Sequence, residues 1–165
     1  MIIFGIDPGY ATTGFGIIKT DGQDIEVLDF GAITTTPDIS KNQRIRQTIE
    51  DLLSLFQEYR PDQIAIEELF FSKNVKTAMQ VSESRGAMLY EITRQNLPVY
   101  EYKPNQVKNN LCGNGSAPKE QIQKMVQIIL NLQEIPKPDD AADALAIAIC
   151  HANHLKNQNL TYLND

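Results

Sequence analysis

Short apolar runs broken by turn residues fill the first part of the chain, and longer runs with apolar residues three or four apart follow. Ile2-Ile3-Phe4-Gly5-Ile6 predicts a strand that ends at the Pro8-Gly9 turn. Residues 14–18 predict a second strand, Thr20-Asp21-Gly22 a turn, and residues 25–34 a third strand. Connections this short imply an antiparallel meander. Ile45, Ile49, Leu52, Leu53 and Phe56 share one face of a helix over residues 41–59, which Pro61 stops. Gln63-Ile64-Ala65-Ile66-Glu67 reads as a buried strand, residues 75–95 as a second long helix, and Val99-Tyr100-Glu101-Tyr102 as a fifth strand. Helices over 119–131 and 140–154 complete the series, and the last ten residues are polar and expected to fray. The order βββαβαβα predicts an α/β domain over residues 1–155 with a polar tail over 156–165. Its five-stranded mixed sheet has three antiparallel strands, then parallel βα units, with flanking helices.

Composition narrows the class. With 165 residues and 42% hydrophobic residues the chain can build one core. No run approaches the length of a membrane span, and the first residues read as a strand, not as a secretory signal. Cys112 and Cys150 lack metal-site or disulfide-framework spacing, which fits a reducing cytoplasm. The net charge of −6 argues mildly against nucleic acid, but its distribution is uneven. Residues 71–125 hold eight basic and four acidic residues, and the remainder holds seven basic and seventeen acidic. A basic middle within an acidic chain permits a local phosphate-binding face.

Four acids stand where acids are costly. Asp7 follows an apolar strand, Glu67 ends another, and Asp140 and Asp143 open a helix that continues Ala-Leu-Ala-Ile-Ala. Singly, each has an ordinary use: Asp7 as a turn cap, Asp140 as a helix cap, Glu67 as a lysine's partner. In the expected topology, however, the ends of the first and fourth strands lie side by side and the last helix starts over them. Converging carboxylates repel unless a cation joins them. All-oxygen ligands favour magnesium or manganese over zinc. Two such ions in one carboxylate cluster are the apparatus of in-line phosphodiester hydrolysis.

These segments together resemble the RuvC family of Holliday junction resolvases. Gly5-Ile6-Asp7-Pro8-Gly9 with Thr13-Gly14-Phe15-Gly16 resembles the family's first motif, and Ala65-Ile66-Glu67 with Phe70 and Lys73-Asn74 the second. Arg85-Gly86, Val99-Tyr100-Glu101-Tyr102 and Gln106-Val107-Lys108 fit between, and residues 140–148 resemble the last motif. The likeness spans residues 2–154 in order. It implies an RNase H-like fold, a homodimer, and resolution of four-way junction DNA by paired symmetric nicks in recombination and repair. It also implies a partnership with the RuvA–RuvB branch-migration complex. The family's metal ligands fall on Asp7, Glu67, Asp140 and Asp143, which would hold two magnesium ions, with manganese as a substitute. Asp139 is expected to point elsewhere.

The resemblance also assigns DNA contacts. Phe70, with Phe71 beside it, would stack on bases near the junction centre. Lys108 and Lys119 match lysines near the active site, and Lys119 would act in catalysis by neutralising the scissile phosphate. Lys73, Lys76 and Arg85 are candidates for phosphate contacts. His151 and His154 are expected at the surface or helix end, not as ligands. Another RNase H-like nuclease, acting on RNA or an RNA–DNA hybrid, would carry nearly the same site. Substrate choice alone separates the two.

Overall fold

The computed structural model describes residues 1–69 and 75–162, and the side chains of all these except 75–76 and 158–162. Its elements are β1 (Ile2–Asp7), β2 (Thr12–Thr20), β3 (Ile25–Thr34), α1 (Lys41–Tyr59), β4 (Gln63–Glu67), α2 (Val75–Arg94), β5 (Val99–Tyr102), α3 (Pro104–Cys112), α4 (Lys119–Ile129) and α5 (Asp139–Tyr162). The strands form one sheet in the order β3-β2-β1-β4-β5. β1, β2 and β3 pair antiparallel, and β4 lies parallel to both β1 and β5. This is the mixed sheet expected from a meander followed by βα units. Among the described residues, no helix is long and apolar enough to cross a membrane.

Alternation along the strands decides which side each acid faces. Phe4, Ile6, Ile17, Ile64 and Ile66 point to one face and pack with Leu52 and Phe56 of α1 and Met88 and Ile92 of α2. Ile3, Ile18, Ala65 and Tyr102 point to the other, where α3, α4 and α5 cover them. Asp7 continues the alternation of Ile3 and Gly5, and Glu67 that of Gln63 and Ala65. Both acids therefore sit at the carboxyl ends of β1 and β4, on the face beneath α5.

The first turns of α5 lie on the sheet backbone to backbone. A Cβ placed on Gly14 would come within 2.0 Å of the Asp140 carbonyl oxygen, and one on Gly5 within 2.2 Å of that of Ala144. Glycine in a strand marks such a close approach. Asp7 stands opposite Gly14 in the β1–β2 pair, so the contact that seats α5 adjoins the first carboxylate.

Three features differ from the sequence-based expectations. Helix α3 was not expected. It has one apolar pair, Val107 and Leu111, and its Asn109-Asn110 reads as loop. It forms because Pro104 presets its first turn and the Gln106 side chain accepts the Lys103 N–H at 2.8 Å. Helix α5 continues to Tyr162, past the expected end at 154, because no glycine or proline interrupts it. His151 is wholly buried, not at the surface. Its Nε2–H donates to Gln63 Oε1 at 2.7 Å, and its Nδ1 accepts from the Tyr102 hydroxyl at 2.7 Å. Tyr100 covers one side of the ring at 4.4 Å between centroids.

This imidazole ties α5 to β4 and β5 in its neutral form. Burial, with the nearby His154 charge, lowers its pKa from 6.5 to about 4. The unfolded chain takes up that proton more readily, so the His151 contribution is complete above about pH 6.5 and is lost as pH falls toward 4. The loss should reach about 3 kcal/mol. Urea unfolding of wild type and His151→Gln across this window isolates it, since the carboxylates titrate in both proteins. A gap between the two that does not narrow on acidification would mean that the ring is not buried neutral.

Candidate active site

The β1 and β4 ends, the start of α5 and the start of α4 bring Asp7, Glu67, Asp143 and Lys119 to one place. Each carboxyl feels the others. Burial, then the charges of Glu67, Asp143 and Asp140, raises the Asp7 pKa to about 8. Burial and the Asp143 charge raise Glu67 to about 6, against the lowering effect of Lys108, a hydrogen bond with Asp7, and Lys119. Asp143 is also raised by burial, and Lys119 opposes that. The four acids of the sequence reading thus belong to one electrostatic cluster.

Lys119, the first residue of α4, donates from Nζ to Asp143 Oδ2 at 2.9 Å and lies 3.4 Å from Asp139 Oδ2. Burial disfavours its charge, but the bonds and charges of Asp143 and Asp139 prevail and raise its pKa. The Lys119–Asp143 pair is substantially exposed, and such pairs hold by about 1 kcal/mol or less. The ammonium is therefore free to exchange Asp143 for another anion. Asp139 turns toward α4, where Gln123 donates to it at 3.0 Å.

Glu67, Asp143, Lys108 and Lys119 line one cleft of about 220 Å³, walled by Val107 and Ile122. That is smaller than the roughly 300–1,000 Å³ of sites for small organic ligands. It suits one backbone phosphate carried in on a longer polymer. The unexpected helix α3 builds the wall that carries Lys108.

The donor chemistry fits hard divalent cations. Asp7, Glu67, Asp140 and Asp143 offer oxygen only, and burial, with their neighbours' charge added, biases Asp7 and Glu67 toward protonation. Among the described residues, no three acidic, histidine or cysteine side chains are gathered tightly enough to enclose an ion as they stand. Lys119 holds Asp143 toward α4.

The other assigned residues fall differently. Phe70, Phe71 and Lys73 lie outside the described residues. Lys76 lies in the first turn of α2, and its side chain is likewise outside them. Arg85 already holds protein partners. Its side chain is 13% exposed, its Nε donates to the Glu67 carbonyl at 3.0 Å, and its guanidinium pairs with Glu101. Sequence reasoning also passed over Gly5 and Gly14 as seats for α5, although glycine inside a strand was the available signal.

Comparison with known proteins gives the family and the fold. The family model for "Crossover junction endodeoxyribonuclease RuvC" matches residues 3–151. The Ruminiclostridium cellulolyticum protein of that name is 50% identical over 153 residues, covering 93% of this chain and 92% of its own. The Thermus thermophilus RuvC structure superposes with a TM-score of 0.88 at 35% identity, covering 96% of this chain and 97% of that one. The T. thermophilus protein in complex with Holliday junction substrate gives a TM-score of 0.86 at 34% identity, covering 94% and 96%. The fold is accordingly RNase H-like. By the extent of the match and the level of identity, the chain belongs to the RuvC family of crossover junction endodeoxyribonucleases.

Proposed function

We propose that this nuclease resolves four-way DNA junctions by metal-dependent hydrolysis at the Asp7–Glu67–Asp140–Asp143 cluster, acting as a homodimer. The observation that carries it is a cleft of phosphate size lined by the Glu67 and Asp143 carboxylates together with Lys108 and Lys119. Two magnesium ions, or manganese in their place, would be held by the four acids and would supply water activation and charge neutralisation at the leaving 3′ oxygen.

The remaining roles belong to the chain. Lys119 exchanges its Asp143 bond for a non-bridging oxygen of the scissile phosphate and stabilises the charge that builds there. Lys108 holds the same phosphate from α3. Phe70, with Phe71 beside it, offers an aromatic face to a base unstacked at the crossover, and Lys73 and Lys76 neutralise flanking phosphates. Two nicks on a two-fold symmetric junction need two sites related by the same symmetry, which a homodimer supplies. Helix α2 exposes Met79 and Tyr90, apolar surface suited to such contact. Membership of the RuvC family makes a RuvA–RuvB-type branch-migration complex the fitting partner.

The test offers the purified protein an end-labelled four-way junction, a linear duplex and an RNA–DNA hybrid, with and without magnesium. Paired symmetric nicks confined to the junction and dependent on the metal are expected. Cutting of the hybrid alone would keep the fold and the chemistry but give the other substrate. In the same assay Lys119→Ala should slow single-turnover cutting roughly 10²-fold, while junction affinity falls only severalfold. An equal loss in both would make Lys119 a binding residue only.

A further inference from the structure

Strand β4 ends at Glu67 with a carbonyl that its neighbour cannot pair. β1 and β4 run parallel in the register Gly5 to Ala65 and Ile6 to Ile66. Continued beyond Asp7, that register brings Pro8, which has no N–H to donate. Arg85 supplies the missing donor. It reaches from α2, on the sheet face opposite α5, and its Nε gives a hydrogen bond to the Glu67 oxygen at 3.0 Å. Its Nη2 pairs with Glu101, which lies on β5 beside Ile66. Just beyond, the Glu68 N–H donates to the Tyr102 carbonyl at 2.8 Å. The backbone at Glu67 is thus held from α2 and β5 at once.

A guanidinium suits this work because its donors stand in a rigid fork, whereas a lysine ammonium is a point charge on a flexible stem. With 13% of its side chain exposed and its Nε and Nη2 engaged, Arg85 has little surface to offer a phosphate. We infer that Arg85 is a positioning residue for Glu67, clamping the end of β4 to α2 and β5 so that the carboxylate is presented to the cleft in one orientation. This rests on the nuclease reading above. It withdraws Arg85 from the DNA-contacting set and makes α2 part of the active-site frame.

The test separates clamp from phosphate contact by keeping the charge and changing the fork. Arg85→Lys and Glu101→Gln are compared with wild type in two measurements. One is junction affinity in metal-free buffer over a range of salt. The other is single-turnover cleavage with enzyme in excess, titrated with magnesium. A positioning role gives Arg85→Lys wild-type affinity within twofold and an unchanged salt slope. Its cutting slows at least tenfold, and half-maximal rate needs more magnesium. Glu101→Gln, which loosens only the far side of the clamp, shifts rate and magnesium requirement the same way by less. A phosphate contact gives the opposite pattern: lysine retains both functions, and Arg85→Ala weakens binding and lowers the salt slope by about one. That pattern overturns the inference, as does a Glu101→Gln enzyme with unaltered rate and magnesium requirement, a comparison that stands even if Arg85 variants unfold. Failure of the wild type to cut the junction would instead remove the nuclease reading itself.

Discussion

Asp7→Asn is expected to bind the junction as wild type does, to cut it roughly a thousandfold or more slowly, and to be the more stable protein without metal. Both effects have one origin. Asp7 is largely buried at the end of β1, and the charges of Glu67, Asp143 and Asp140 add to burial in raising its pKa to about 8. Holding such a carboxyl ionised at neutral pH opposes folding. The sign follows from linkage: the folded protein binds this proton more tightly than the unfolded chain, so stability falls as pH rises from about 4 through 8. Asparagine keeps the shape and removes the charge, which should stabilise the metal-free protein by about 2 kcal/mol or more near pH 8. The same charge is what a divalent ion needs. Loss of about 4 kcal/mol of transition-state stabilisation is a thousandfold in rate. Thermal unfolding with and without magnesium reads both sides: wild type should gain stability from the ion and the variant should gain little. A variant less stable than wild type in metal-free buffer would show that Asp7 is not held at a cost, and the electrostatic account of the site would fall with it.

Much of this was legible in the sequence because hydrophobic period and acid placement are local signals. The α1 helix and the strands β3, β4 and β5 occupy the residues their patterns predict, since each has an apolar face bounded by turn residues. Asp7 and Glu67 stood out because each ends a run of side chains that packs a core. Features that depend on partners distant in sequence were not legible. Arg44 occupies the buried stripe of α1 that pattern alone reserves for apolar residues. It is satisfied there by Thr35, whose hydroxyl and carbonyl accept from it at 2.8 and 3.2 Å, and by the Tyr10 ring 4.3 Å away. His151 looked like a helix-end residue because its partners, Gln63 and Tyr102, lie 88 and 49 positions away. Arg85 carried the charge of a phosphate contact, and only the fold shows its Nε and Nη2 engaged by Glu67 and Glu101. In each case a polar residue reads as exposed until the tertiary partner that permits its burial is known.

Gly14→Ala should damage both stability and catalysis. Its Cβ would lie 2.0 Å from the Asp140 carbonyl oxygen, 2.5 Å from that carbonyl carbon and 3.0 Å from the Asp140 Cβ. Two of these are backbone atoms in the first turn of a helix, so no side-chain rotation relieves the clash. Either β2 bends or the start of α5 lifts by about 1 Å or more. Overpacking of this kind usually costs about 1–3 kcal/mol, and the rigidity of both partners places this case at or above the upper end. The functional loss should exceed what the stability change explains. Asp140 and Asp143 ride on the turn that lifts, while Asp7 and Glu67 stay with the sheet, so the carboxylates separate into two pairs. A displacement near 1 Å between reacting groups is enough for about a hundredfold in rate. The expected result is a folded but weakened enzyme, assayed well below its unfolding temperature, that cuts about a hundredfold slower and responds less to magnesium in thermal unfolding. Full activity in a Gly14→Ala protein of lowered stability would mean that the helix returns to its seat without the backbone contact. Wild-type stability and wild-type rate together would mean that the sheet yields there, and that Gly14 does not seat α5 over the active site.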